Sequence, residues 1–452
     1  MVTFSLKVTT NNPSNTIRDS QFDITSAQQQ LFQYYVERLS GILVNASGQG
    51  NPLRTLIIPL ARTSPLLFQG VCAVSCIHRS GFMEGVQSRV YQNEAMGYYV
   101  RGLSSLKDLL PAALDTGQNR VVTPSSEQLI LFQTLLLSAI FLCKFEIIKD
   151  GITNWRKHLD GVVSFYKWLE SSHWAYEMPE TMKFARSFIT YHKGIACLTE
   201  LGRRPTRDTE DFPKPIGYDF CSLEDLEQQS SGLQTVDPYM GFSQTLVILF
   251  RRVNNLLLID IQDHNALPAV KTELLFILGR LSDKDWTAEH FLVPPSMTND
   301  VVKCLEHISQ AYEGAIYTCL HSTIEELVKR CKVYDRNKTM VREVEQLKAM
   351  IPVTKQDALE RCLAGIQAVP CQSPEEAGLL PVLFVVACET DDPNHVAIVM
   401  QRLNVLEAHI GLGNIHSAVI LLREILDRRA RGRKRNDWRN LLAASSWDLI
   451  IT

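Results

Sequence analysis

Four places in the chain set chemically capable residues close together. In NWRKHLDGVV, residues 154–163, His158 follows Trp155 by three positions and precedes Asp160 by two, which raises the question of an imidazole base with an acidic neighbour. In VCAVSCIHRS, Cys72, Cys76 and His78 offer thiols and an imidazole to a metal. Asp391 and Asp392 form an adjacent carboxylate pair, and RRARGRKR crowds Arg428, Arg429, Arg431, Arg433, Lys434 and Arg435 into eight positions.

Each of these has a structural reading beside the chemical one. A general base needs a partner in reach, and none stands at helical spacing from His158, because residues two apart do not share a helix face. Packing is therefore the expected role of Trp155 and His158. The small and apolar residues around Cys72, Cys76 and His78 suit a packed helix better than a metal shell. Asp391-Asp392 stands before Pro393 and Asn394, where an N-cap explains it. A Gly-rich phosphate loop, GxSxG, HExxH and a magnesium-holding aspartate pair are all missing from the sequence. No catalytic residue, metal ligand or cofactor is assigned, and a ligand-binding residue cannot be named. The basic run reads as a nuclear-import signal or a phosphate-contacting patch. Its plainer reading is an exposed loop whose charge complements a helix C-terminus, aided by Gly432. Without a recognition helix or interleaved aromatics it would attract nucleic acid only in a salt-sensitive, sequence-blind way.

The elements that must position these residues read as helices. LILFQTLLLSAIFLCKFEIIKDG ends at Gly151, where a left-handed cap is wanted, and Thr153 or Asn154 can cap the next helix. In that second helix Trp155, Leu159, Val162, Tyr166 and Leu169 recur at three- and four-residue steps. The two helices are expected to fold back through a tight turn, with Trp155 and His158 inside and Gly161 allowing a neighbouring helix to come close. Similar patterns run over about 24–46, 64–79, 86–110, 126–149, 154–171, 180–201, 240–262, 268–282, 298–332, 338–349, 355–367, 376–390, 393–411, 414–429 and 436–446. The fold class is all-α: a large multi-helix array of packed antiparallel hairpins. Residues 1–20 read as a loosely ordered segment and 21–450 as the folded region. The polar stretch 202–236 is a possible division into two helical halves.

Composition narrows the classes further. Of 452 residues 45% are hydrophobic, enough for a sizeable core, and a formal charge of −3 lacks the basic excess of a protein that grips phosphate backbones unaided. The eleven cysteines include no CxxC and lie mainly in apolar runs, which fits buried thiols in a reducing compartment. MVTFSLKVTT does not look like a secretory signal. The one membrane candidate, residues 128–143, is free of charge over 16 residues, short of the roughly 20 needed to span a bilayer. It reads as a buried helix, and no membrane association is expected.

A family resemblance joins these pieces. The order NPLRTLIIPLARTSPLLFQGVCAVSCIH, YYVRGLSSLKDLL, the charge-free helix ending FEIIKDG, and NWRKHLDGVVSFYKWL resembles the regulatory domain of fungal binuclear zinc-cluster transcription factors. DPYMGFSQTLVILFRRVNNL, QAYEGAIYTCL, LLPVLFVVACET and DWRNLLAASSWDLI extend the likeness over about residues 20–450. The resemblance implies an all-α domain that tunes a DNA-binding zinc cluster through small-molecule effectors, protein partners or self-association.

The chain departs from that layout in one respect. The family's zinc cluster needs six closely spaced cysteines beginning with CxxC, whereas the first cysteine here is Cys72. A fragment, a shortened gene prediction and a natural protein that keeps the regulatory fold alone all stay open. No direct sequence-specific DNA binding by this chain alone is expected. The expected function is nuclear transcription regulation, with a metabolic or secondary-metabolite gene cluster as its setting. Two alternatives stand beside it. One is an accessory partner of a full-length regulator. The other is a cytoplasmic pocket enzyme of the cyclase or isomerase type, since holding a reactive conformer needs mainly a dry, rigid cavity.

Overall fold

Helix starts in this chain are set by side-chain oxygens that meet the unpaired N–H groups of a first turn. Thr25 with Gln28 and Ser125 with Gln128 form reciprocal capping boxes. Ser64, Ser243, Thr354 and Asp392 each accept a backbone N–H of the helix they open. The computed structural model describes residues 22–46, 50–117, 125–200, 236–261, 266–282, 293, 297–334, 338–432, 438, 441–442 and 447–452.

In chain order the helices are α1 (Ser26–Tyr34), α2 (Pro52–Thr55), α3 (Ile57–Thr63), α4 (Pro65–Ser80), α5 (Gly85–Gly117), α6 (Ser126–Lys149), α7 (Trp155–Glu170) and α8 (Pro179–Glu200). Beyond the polar stretch come α9 (Gln244–Asn255), α10 (Ala266–Ser282), α11 (Asn299–Tyr334), α12 (Lys338–Lys348), α13 (Lys355–Ala368), α14 (Leu380–Glu389), α15 (Pro393–Ile410) and α16 (Gly413–Ala430). A π-helical turn, Tyr35–Leu39, carries α1 on to Ile42. Among the described residues there is no strand, so the fold is all-α, built of packed helices.

The densest packing is between α4 and α5, α4 and α6, α6 and α7, α8 and α9, and α11 and α13. α6 runs through the centre, with Phe132, Leu135, Leu136, Leu137, Ile140 and Phe141 fully buried. It is long and apolar enough to cross a membrane, yet 78% of its apolar window is covered by other parts of the chain. One apolar cluster takes in residues from Leu31 to Ile451.

Several expectations change. Helices α2 and α3 occupy a stretch where none was expected, because Pro52 and Pro59 lie in first turns that tolerate the missing N–H. α5 continues past residue 110 to Gly117 with Pro111 inside it. Gly151 takes the left-handed conformation at φ +65°, as expected, but the Asn154 side chain makes no cap hydrogen bond. Gly161 does not serve close packing, since nothing lies within 4 Å of where its Cβ would sit. The close approach falls at Gly194, where a Cβ would run into Val247 of α9. Residues 1–20, most of 202–236 and most of 436–446 lie outside the described residues.

The turn between α6 and α7 is strapped by residues far downstream. Ile450 N–H donates to Gly151 O at 2.8 Å and Asp448 N–H to Ile152 O at 3.0 Å. The Trp155 indole N–H donates to Asp448 O, and Arg156 pairs with the Asp448 carboxylate at 2.9 Å.

Candidate functional site

The turn at residues 237–241 depends on one buried carboxylate. Asp237 Oδ1 accepts the N–H groups of Tyr239 and Met240 at 2.8 and 2.9 Å, and Oδ2 accepts from Ser187 Oγ and Gln244 Nε2 at 2.5 and 2.8 Å. Gly241 closes the turn at φ +79°, where a side chain would collide with Asn45 O. Asn45 N–H donates to Tyr239 O at 3.0 Å. The turn is thereby docked onto the segment after α1, and Tyr239 is held in the core facing α6 and α8.

Opposite Tyr239 stands Lys144 of α6, only 4% exposed. Its Nζ lies 2.9 Å from Tyr239 Oη and 3.4 Å from Leu43 O, over the rings of Tyr239 and Phe188. Among the described residues no carboxylate pairs with it. Burial pulls its pKa down to about 7, against a slight opposing effect of the neighbouring Cys143. Burial also drives Tyr239 well above its ordinary range, so the phenol keeps its proton. His192 of α8 stacks beside Tyr239 with ring centroids 6.2 Å apart. Its Nδ1 lies 2.8 Å from Phe188 O, and a carbonyl only accepts, so the proton sits on Nδ1, and Nε2 has no hydrogen-bond partner among the described residues. Burial and, secondly, the nearby Lys144 lower the His192 pKa to about 3, and the ring stays neutral.

These groups border a void of about 40 Å³, room for a few waters. Asn45, Lys144, Tyr191, His192 and Tyr239 give it polar walls, and Ile42, Leu43, Ile147, Ile148 and Leu412 give it apolar ones. Ile42, Ala377 and Thr452, partly exposed, complete the lining. Tyr191 adds a buried hydroxyl that makes no hydrogen bond among the described residues. The arrangement can hold an uncharged amine beside a proton acceptor, with space for a small molecule.

The residues singled out in the sequence fall elsewhere. Trp155 is fully buried, while His158, half-buried, bonds through Nε2 to Tyr99 Oη at 2.7 Å. The acidic group nearest in effect is Glu146 of α6, whose Oε2 accepts from Lys149 at 2.7 Å and Thr153 at 3.1 Å. Burial lowers the His158 pKa in spite of it. His78 is spanned by Tyr34 and Ile410 O, each at 2.7 Å, and Cys76 Sγ donates to Tyr91 O. Asp392 caps α15 by accepting Asn394 N–H.

The basic run divides. Arg428 pairs with Glu424 at 2.7 Å, and Arg429 donates to the carbonyls of Ala387, Cys388 and Thr390 at the end of α14. Arg431 is exposed in the following turn, and Arg433, Lys434 and Arg435 lie outside the described residues.

Lys144 escaped the reading of the sequence. The signal was a single cation inside FLCKFEII, the first charge after the charge-free stretch. The partners that give it meaning are 48 and 95 residues away.

The model of the family described as "Fungal specific transcription factor domain" matches residues 30–452. No curated protein and no solved structure matches the chain.

Proposed function

Because the chain belongs to the fungal specific transcription factor domain family, we propose that it regulates transcription in the nucleus through this all-α domain. It does so by binding protein partners or a second copy of itself, in answer to a small-molecule effector held at the Lys144 void. A metabolic or secondary-metabolite gene cluster is the setting. The observation that carries this reading is the family match over residues 30–452.

Within the basic run Arg428, Arg431, Arg433, Lys434 and Arg435 serve nuclear import, with Arg431 exposed in the turn after α16, whereas Arg429 is engaged with α14. The pocket-enzyme alternative needs a cavity that encloses its substrate, roughly 300–1,000 Å³. The void at Lys144, about 40 Å³, is an order of magnitude smaller and is not the cavity such an enzyme needs.

The test is a fusion of residues 1–452 to an unrelated DNA-binding domain in a fungal host carrying the matching reporter. Reporter output should change several-fold against the DNA-binding domain alone. Unchanged output in a soluble, nuclear fusion overturns the proposal.

A further inference from the structure

We propose that Lys144 is a reactive amine that captures a small uncharged aldehyde as an imine, with His192 as its proton carrier and Tyr239 as its positioning residue.

Nζ is placed to donate to Leu43 O, 3.4 Å away, and to the Tyr239 hydroxyl at 2.9 Å, contacts that either protonation state of the amine can make. The surroundings favour the uncharged amine, because the buried nitrogen faces apolar side chains and has no carboxylate partner among the described residues. A charge there would be costly. Buried amines of this kind are nucleophiles, and exposed lysines held as cations are not.

The void decides which electrophile is admitted. At about 40 Å³ it accommodates a molecule of a few heavy atoms. It offers no cationic group apart from the amine itself to bind a carboxylate or phosphate, so keto acids and sugar phosphates are poor candidates. Carbon dioxide would fit, but its adduct is a carbamate anion, left without a countercharge in an apolar site. An aldehyde gives an uncharged adduct and suits the walls.

The reaction closes without an outside reagent. Nζ adds to the carbonyl carbon while the carbonyl electron pair moves to oxygen. A proton passes from the nitrogen to that oxygen, with the neutral His192 ring, which lines the same void, as its carrier, giving the carbinolamine. The second N–H proton follows the same route, the hydroxyl leaves as water, and the nitrogen lone pair closes the C=N bond. Water is the by-product, and His192 and Tyr239 end as they began. The imine carbon then occupies the void, whose walls come from α6, α8, the segment after α1 and the 237–241 turn.

This inference rests on reading the void as the effector site, and its chemistry is tested on the purified full chain. The chain is incubated with acetaldehyde and cyanoborohydride near neutral pH, and the alkylated lysines are located by peptide mass spectrometry. Lys144 should be alkylated faster than exposed lysines such as Lys332 and Lys348, and benzaldehyde should leave Lys144 untouched while marking the surface. His192→Gln, its fold checked by circular dichroism, should slow alkylation of Lys144 roughly tenfold or more. The inference is overturned if Lys144 stays unmodified while Lys332 and Lys348 react, or if benzaldehyde reaches it as fast as acetaldehyde. An undiminished rate in His192→Gln removes the role given to that ring. Adduct formation at Lys144 without any response of the reporter fusion to acetaldehyde sinks the effector reading and leaves the amine chemistry standing.

Discussion

Replacing Lys144 with Met gives the sharpest measure of how the centre of this fold is built. Met keeps an unbranched apolar chain of similar length and removes the one group in the void that changes charge near neutrality. In the unfolded chain the amine holds its proton up to its ordinary value of 10.5, and in the folded chain it gives the proton up at about 7. Between those values the unfolded state binds one proton more than the native state. Stability therefore rises with pH across that window, by about 1.4 kcal/mol per unit. Stated the other way, the penalty of burying the amine grows as pH falls from 10.5 towards 7 and is constant below. His192, held at about 3, does not titrate in this range. Burial pushes the thiols of Cys143 and Cys362 upward, so both keep their protons in the folded chain over this range and drop out of the difference. Unfolding free energies from denaturant curves followed by tryptophan fluorescence, at pH 6, 7, 8 and 9, give the difference between wild type and Lys144→Met. That difference should shift in favour of the wild type by roughly 2–3 kcal/mol from pH 7 to pH 9 and level off below pH 7. A difference flat to within about 0.5 kcal/mol over the whole range would refute the claim that the native amine is uncharged.

Two further outcomes follow from the helix turn and the basic run. Trp155→Ala removes a fully buried indole and strips Asp448 O of its donor; it should cost about 3–5 kcal/mol in thermal or chemical unfolding, whereas His158→Gln should cost about 1 kcal/mol. Equal losses in the two variants would contradict the separate roles given to these residues. Substituting Gln at Arg428, Arg431, Arg433, Lys434 and Arg435 together should abolish nuclear accumulation of a fluorescent fusion without lowering its melting temperature. Arg429→Gln should instead lower the melting temperature, because it takes donors away from the last carbonyls of α14.

What the sequence made legible was local in origin. The cap at Asp392, the left-handed Gly151 and the period of α7 each depend on residues within a turn or two, so spacing alone exposes them. Helices α2 and α3 do not stand out in the sequence, and Pro52 and Pro59 sit in their first turns, which have no use for a proline's missing N–H. Gly161 misled because spacing cannot tell which face of a helix meets a neighbour. The Lys144 site was illegible for a different reason. Its amine, phenol and imidazole come from segments joined only by the folded chain, and a lone lysine in an apolar run resembles a boundary residue until its neighbours are placed. The Asp237 turn lay inside a stretch quoted for its family likeness, but nothing in its letters shows that its carboxylate gathers four donors.

The pairing of Trp155 with Asp448 also sets a clock on biogenesis. These residues are 293 positions apart, and at roughly 5–20 residues per second a ribosome needs about 15–60 s to travel from one to the other. Throughout that interval the nascent α6–α7 hairpin carries an indole without its acceptor and an arginine without its carboxylate, with the oily flank of α6 still uncovered by α16. Chaperones that bind greasy nascent segments have a long opportunity at this hairpin, and the chain can reach its final form only after translation has passed residue 450.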